Sequence, residues 1–338
     1  MPAPLPPRIF RPTPVNLARL GAALRRGDLV GVPSETVYGL AADALSEAAC
    51  ARIFEAKGRP TTDPLIVHLA SRRDLGAVAS AHPEAWRVAE AFWPGPLTLV
   101  LPKLACVPDL VTAGKATVAV RVPAHAVFRK LIRACGRPLA APSANPFGYI
   151  SPTRAAHVRD GLRHPRLRAV LDGGECAVGV ESTILDLADP ARPRLLRPGG
   201  LALERIEAVL GRAVEAGGPR VVAAGVAAAA PGMLAQHYSP RTPLTLHARL
   251  DATALARLGR DEAVLLLRRP AGAAAGAPNV RWLSEEGDLA EIARGLFAGL
   301  RELDEGGWAR LHAEVPAGAE GLAPAIRDRL TRAAAKRG

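Results

Sequence analysis

A two-domain α/β protein is the fold class this sequence predicts, and three observations predict it. Residues 12–210 alternate short apolar β-type runs with helical stretches. Gly217 to Pro240 is a Gly, Ala and Pro stretch with almost no charge or periodicity, and reads as an ordered or semi-ordered linker within 211–242. Residues 243–338 then repeat the alternation on a smaller scale, as a small open Rossmann-like α/β domain would. A length of 338 residues with 49% hydrophobic side chains suits two cores at ~100–200 residues per domain.

Each element has a local reason. Asn16 can cap a helix through LARLGAALRR, with Leu17, Leu20 and Leu24 on one face and Gly27 as its stop. The strand LVGV follows, then a second apolar run from Val37 to Leu40. Ser46 caps EAACARIFEAK, which Gly58 ends. PLIVHLA, LTLVLP, TVAVRVP, RAVLDG and STILDL read as strands, separated by helices around 83–92, 124–135 and 153–160. Beyond the linker LTLHA, AVLLLR, VRWL and ARLHAEV read as strands, with helices near 251–258, 286–303 and 320–336.

The formal charge is +12, which favours phosphate-bearing partners. The excess is uneven: residues 1–210 hold 27 basic against 18 acidic side chains, and the remainder 17 against 14. An Arg-rich codon usage explains such an excess equally well. Cys50, Cys106, Cys135 and Cys176 lie far apart with no C-x-x-C pair, which fits reduced thiols and no metal site. The start, MPAPLPPRIFRP, lacks the apolar run of a secretory signal, and VVAAGVAAAAPGMLA is shorter than a bilayer span and broken by Pro231. A cytoplasmic protein with no membrane partner is the expectation.

Several common devices are excluded. GKAT at 114–117 lacks the first glycine and the hydroxyl of a P-loop, since Asp109 and Ala116 stand there. No G-x-G-x-x-G, G-x-S-x-G or H-E-x-x-H occurs. What remains is a set of polar clusters at the ends of apolar runs. Ser34, Glu35 and Thr36 separate two apolar runs, as a site or as a Ser/Thr turn would. Lys57 and Arg59 flank Gly58 with Asp63 and His68 following, either answering a helix dipole or gripping phosphate in a proline-stiffened loop. Arg121 interrupts a buried strand and requires an anionic partner, internal or bound. Ser143 and Asn145 sit between two prolines, Glu181, Ser182 and Thr183 echo the first triplet, and Arg197 precedes two glycines that let a ligand approach the backbone. Together they make a cleft rich in cations and hydroxyls with no nucleophile and base pair.

In this order PSETVYGLAADA, KGRPTTDPLIVH, FWPGPLTLVL, VAVRVP, PLAAPSANPFG, VESTILDL and LRPGG resemble the YrdC-type domain of the threonylcarbamoyl-AMP synthases, over about residues 12–205. HYSPRTPL at 237–244, followed by a small α/β domain, resembles the two-domain branch of that family. The resemblance implies a twisted mixed sheet whose helices form a basic cleft. It implies synthesis of L-threonylcarbamoyladenylate from L-threonine, bicarbonate and ATP with Mg²⁺, and a transferase partner acting on tRNA. By the same resemblance Thr36, His68, Arg121, Ala141 and Ser182 meet threonine. Arg59, Asp63, Thr117, Ser143, Ser151, Arg197 and Tyr238 fall to ATP, while Lys57 neutralises phosphate charge beside Arg59 and Arg121. HYSP would close over the cleft.

At two positions the chain differs from the family pattern: Ser34 stands where Thr is usual, and Asp63 where Asn is usual. A carboxylate near a triphosphate repels it unless Mg²⁺ or Arg59 intervenes. The rival reading is a double-stranded RNA or tRNA binding module without ATP turnover, for which an aromatic content of 4% leaves few stacking platforms. A carbamoyl-transfer domain of the hydrogenase-maturation kind would carry zinc fingers, which four scattered cysteines cannot build.

Overall fold

Short strands with hardly a polar position need cover on both faces, and this sets the architecture. In the computed structural model, which describes residues 4–216, 227–232, 237–270 and 277–335, eleven strands form one mixed sheet. Its order is Arg8–Phe10, Leu167–Leu171, Leu29–Val32, Gly39–Asp43, Leu139–Ala140, Ile66–His68, Thr117–Arg121, Leu97–Pro102, Thr183–Asp186, Arg194–Arg197 and Glu215–Ala216. Alternate residues serve opposite cores. Val30, Val32 and Ala41 meet the helices Pro14–Arg25 and Ala126–Cys135, whereas Leu29, Leu40 and Ala42 join the larger core on the other face.

A second sheet of four strands, all parallel, runs in the order Leu244–His247, Arg310–Glu314, Glu262–Arg268 and Val280–Ser284. The helices Leu289–Asp304 and Ala323–Ala334 bury their apolar stripes against it and against the larger lobe. The small Rossmann-like unit expected from the sequence is thus present as a parallel α/β layer.

Several local expectations change. Thr13, not Asn16, caps the first helix: its hydroxyl accepts the Asn16 N–H at 3.2 Å, while the Asn16 amide turns back to the Arg11 carbonyl at 2.9 Å. Pro14 needs no such partner and so opens the helix. Ser46 and Gly58 do frame Glu47–Lys57, with Gly58 in the left-handed conformation. The proline-rich start contains a strand, Arg8–Phe10, which pairs in parallel with Leu167–Leu171. Glu215–Ala216 likewise adds an edge strand too short to announce itself.

The connection between the lobes is not a free tether. Residues 217–226 and 233–236 lie outside the described residues, but 227–232 and 237–240 are mostly buried. Ala228 donates its N–H to the Thr62 carbonyl at 2.9 Å, and Ser239 donates to that of Gly148 at 2.7 Å. Val37, Tyr149, Ile150 and Val180 of the larger lobe share one core with Tyr238 and with Ile292, Phe297 and Leu300 of the smaller. Polar contacts cross the same seam: the Tyr149 hydroxyl donates to Asp304 at 2.8 Å, and the buried Arg301 guanidinium donates to the Ile150 and Ser151 carbonyls. No helix among the described residues is long and apolar enough to cross a membrane.

The seam has one point of closest approach. Gly179 has φ +79°, and a Cβ there would overlap the Ala293 carbonyl oxygen and the Arg294 Cα of the helix Leu289–Asp304. Backbone cannot swing aside as a side chain does. Gly179→Ala is therefore expected to lose ~2–4 kcal/mol of stability. Chemical denaturation with far-UV dichroism checks it; a midpoint unchanged from the parent would refute the close packing.

Candidate active site

The first polar triplet divides its labour. The Ser34 hydroxyl accepts the N–H groups of Thr36 and Val37 at 3.1 and 3.2 Å and donates to the Val37 carbonyl at 2.6 Å, so it builds the turn. Thr36 turns its hydroxyl toward Arg121, whose Nη1 donates to it at 3.0 Å. The Glu35 carboxylate takes Arg121 Nη2 at 2.6 Å. Burial pushes the Glu35 carboxyl up, but Arg121 and nearby backbone donors outweigh it and hold it below the ordinary range. The anionic partner that Arg121 requires is thus internal in this form, and the turn reading of Ser34 holds alongside the site reading of Thr36.

Parallel pairing places His68 directly beside Arg121, each at the end of its strand. His68 packs against Phe128 with ring centres 5.2 Å apart and planes tilted by 41°, and its Nδ1 lies 3.1 Å from the Ile66 carbonyl. Burial first, and then the Arg121 charge, push its pKa down to about 3, so the imidazole is neutral. Ser182, just before the strand Thr183–Asp186, shares a 2.8 Å hydroxyl contact with Thr98. Ala141 comes from the turn that follows Leu139–Ala140.

Further cations lie around the same site. Arg59, just past the helix stop at Gly58, donates to the Asp63 and Pro64 carbonyls at 3.0 and 2.7 Å and pairs with the Asp63 carboxylate at 2.9 Å. Arg197 donates to the Ser182 carbonyl at 3.0 Å and to that of Pro231 at 3.1 Å. Lys57 donates to the carbonyls of Ser143 and Asn145 at 2.6 and 2.5 Å, so it fixes the loop that presents Ser143. Burial and then Arg59 push the Lys57 amine well below its ordinary range. The His237 ring, which sequence reasoning did not single out, is driven well below the usual histidine range by burial and then by Arg59, Lys57, Arg197 and Arg329. Arg59, Lys57, Arg197 and Arg329 thus converge on one imidazole, with Asp63, Glu181 and Asp328 balancing part of their charge.

Most of these residues bound one cavity of about 50 Å³, whose lining includes Thr36, His68, Arg121, Ala141, Ser143 and Ser182. Arg59, Arg197, Gly232, His237 and Tyr238 line it as well. Tyr238 is fully buried with φ +67°, packed between His237 at 4.1 Å and Phe297 at 5.4 Å. Four of the residues assigned through the resemblance stand off the cavity wall. Lys57 lies behind Ser143. Asp63 is bound to Arg59 and wholly buried. Ser151 donates its hydroxyl to Glu181 at 2.6 Å. Thr117 opens the strand whose far end carries Arg121, ~13 Å away at ~3.3 Å per residue. Ser34, Glu181 and the Pro231–Gly232 turn line the site instead. Among the described residues no group of three or more His, Cys, Asp or Glu could hold a metal.

His68 gives a measurable signature. A histidine at about 3 in the fold and ordinary when unfolded contributes nothing adverse above pH ~6.5, and destabilises progressively as pH falls from ~6.5 toward 3. His68→Gln should make the stability profile shallower by up to ~1.4 kcal/mol per pH unit in that window. Denaturation midpoints of both proteins between pH ~7 and ~4 check it, and parallel profiles would refute it.

Known proteins resemble this chain over both lobes. The Sua5–YciO–YrdC family model, described as "Telomere recombination", matches residues 22–199. A second, described as "Threonylcarbamoyl-AMP synthase, C-terminal domain", matches residues 201–335. A Pyrococcus abyssi protein named threonylcarbamoyl-AMP synthase is 44% identical over 326 residues, which is 93% of this chain and 92% of that one. Its Bacillus subtilis namesake is 41% identical over 86% of this chain and 85% of its own. The crystal structure of P. abyssi Sua5 complexed with L-threonine superposes with a TM-score of 0.85 at 40% identity, covering 97% of each chain. On these matches, spanning both lobes and the seam between them, the chain belongs to the threonylcarbamoyl-AMP synthase family.

Proposed function

We propose that this protein makes L-threonylcarbamoyladenylate from L-threonine, bicarbonate and ATP, releasing pyrophosphate. One observation carries the reading: cations and hydroxyls, with no nucleophile and base pair among the described residues that line it, converge on a single cavity. That inventory suits a reaction in which both partners come from substrates. The threonine amine and bicarbonate give a carbamate and water. A carbamate oxygen then attacks the α-phosphorus, and the bond to the bridging oxygen breaks as pyrophosphate leaves. Such a displacement needs position and positive charge more than covalent help.

The residues divide accordingly. Arg121 takes the threonine carboxylate while Glu35 keeps the guanidinium aimed, and Thr36, His68, Ser182 and the Ala141 backbone complete that pocket. A neutral His68 can accept a hydrogen bond without adding charge beside the amine that must react. Arg59, Arg197 and Ser143 face the phosphates. Lys57 acts through its charge, which an arriving phosphate restores against the cost of burial. Mg²⁺ would ride on the phosphates, because Asp63 is committed to Arg59. Ser151 supports the wall through Glu181.

A cavity of about 50 Å³ is far below the ~300–1,000 Å³ of sites that enclose nucleotide-sized ligands. Pro231–Gly232 and His237–Tyr238 must therefore move for ATP to enter, in keeping with the closing role that the resemblance gives HYSP. The product is a labile mixed anhydride, which fits onward transfer by a tRNA-modifying partner. The RNA-binding reading loses ground because Lys57, Arg59, Arg121 and Arg197 are buried rather than displayed.

Purified protein given ATP, Mg²⁺, L-threonine and bicarbonate should release pyrophosphate and yield a new adenylate by mass spectrometry, with both lost when threonine or bicarbonate is omitted. Release indifferent to threonine would overturn the reading. Arg121→Ala should raise the KM for threonine ~100-fold or more, since it removes a charge-assisted contact and leaves Glu35 unpaired. Tyr238→Ala should weaken ATP binding ~10-fold with little change for threonine; calorimetric titration of each ligand separates the two.

A further inference from the structure

Helix Ala323–Ala334 carries a side chain that a solvent-facing helix would not bury. Arg329 has no exposed surface, and apart from Asp328 its partners lie far back along the chain. Its Nε lies 2.7 Å from Glu181 Oε2, and its Nη2 donates to the Pro198 carbonyl at 3.0 Å. The guanidinium carbon sits 5.2 Å from the centre of the Tyr238 ring. The other oxygen of Glu181 takes the Ser151 hydroxyl at 2.6 Å. Asp328 closes the set, pairing with Arg329 Nη1 at 2.6 Å and with Arg332 at 2.8 Å.

From this juxtaposition we infer that Arg329, on the last helix of the smaller lobe, is a positioning residue for the nucleotide side of the site. It acts through Glu181 and Tyr238, both of which line the cavity, and through Pro198, which follows Arg197. A buried ion pair is a poor way to gain stability, because desolvation consumes most of its attraction. What it supplies is direction: a planar guanidinium fixes the Glu181 carboxylate in one orientation and offers the Tyr238 ring a cationic face. The strand-side residues are held by other groups: Arg121 by Glu35 and the Gly95 carbonyl, Thr36 by Arg121, and His68 by Phe128 and the Ile66 carbonyl. Arg329 thus reaches the nucleotide side directly, whereas of the threonine-side residues only Ser182, bonded to Arg197 and next to Glu181, lies near its contacts.

The inference rests on the adenylate-forming reading, so its test needs a readout independent of product. Arg329→Met orphans a buried carboxylate and risks misfolding; the pair Glu181→Gln with Arg329→Met removes that orphaned charge. Calorimetric titration should show ATP binding weakened ~10–50-fold in both variants, with threonine affinity within ~threefold of the parent. The double variant should be no worse than Arg329→Met, because the two groups act as one link. Arg329→Lys, which keeps charge but loses the fork, should recover some of the ATP affinity. Hydrogen exchange should rise over residues 147–153 and 237–240 in Arg329→Met, whether or not the protein forms an adenylate. Equal loss of both ligands, additive losses, or unchanged ATP binding would overturn the positioning role. A parent that binds neither ligand would overturn the functional reading alone, with exchange still deciding the link.

Discussion

Everything in this molecule turns on holding several cationic side chains inside protein without leaving any of them unanswered. An isolated buried charge costs far more than a domain's net stability. Each is met by a different group: Arg121 by Glu35, Arg59 by Asp63, Arg329 by Glu181 and Asp328, Arg197 and Lys57 by carbonyl oxygens. The strand ends, the glycine turns and the helix stop at Gly58 lie where those partners have to be delivered. Positive potential is thereby stored in a form that a triphosphate can exchange for its own charge.

That constraint also explains the architecture between the lobes. The smaller lobe is neither a tethered module nor a simple cover, because its core residues and its arginines enter the larger one directly. Gly179 lets a helix backbone rest on a loop that leads straight to Glu181. Packing at the seam and geometry at the cavity are consequently one problem.

Much of this was legible in the sequence. Strand runs such as TVAVRVP and STILDL are apolar enough to demand burial, and the polar residues at their ends are the ones that gather around the cavity. Ser46 and Gly58 mark their helix because cap chemistry is local. Other features were not readable. Asn16 competed with Thr13 for one cap, and only the turn back to Arg11 decides between them. Asp63 is adjacent to the phosphate grip in sequence, yet its carboxylate faces Arg59 rather than the cavity. Arg329 gave no signal at all, being one arginine in a basic helix of an arginine-rich chain; its importance lies in which face was buried. Edge strands of two or three residues carry no periodicity to detect.

Tyr238 holds a conformation that side-chain-bearing residues avoid, with φ +67°. Keeping it there costs about 1–2 kcal/mol, offset by its packing against Phe297, His237 and Arg329. The backbone at Tyr238 is in that sense held by its neighbours: its geometry depends on the packing around one ring rather than on local preference. Contacts that reach Tyr238 from the smaller lobe, Phe297 and Arg329, therefore bear on a backbone angle at the cavity wall.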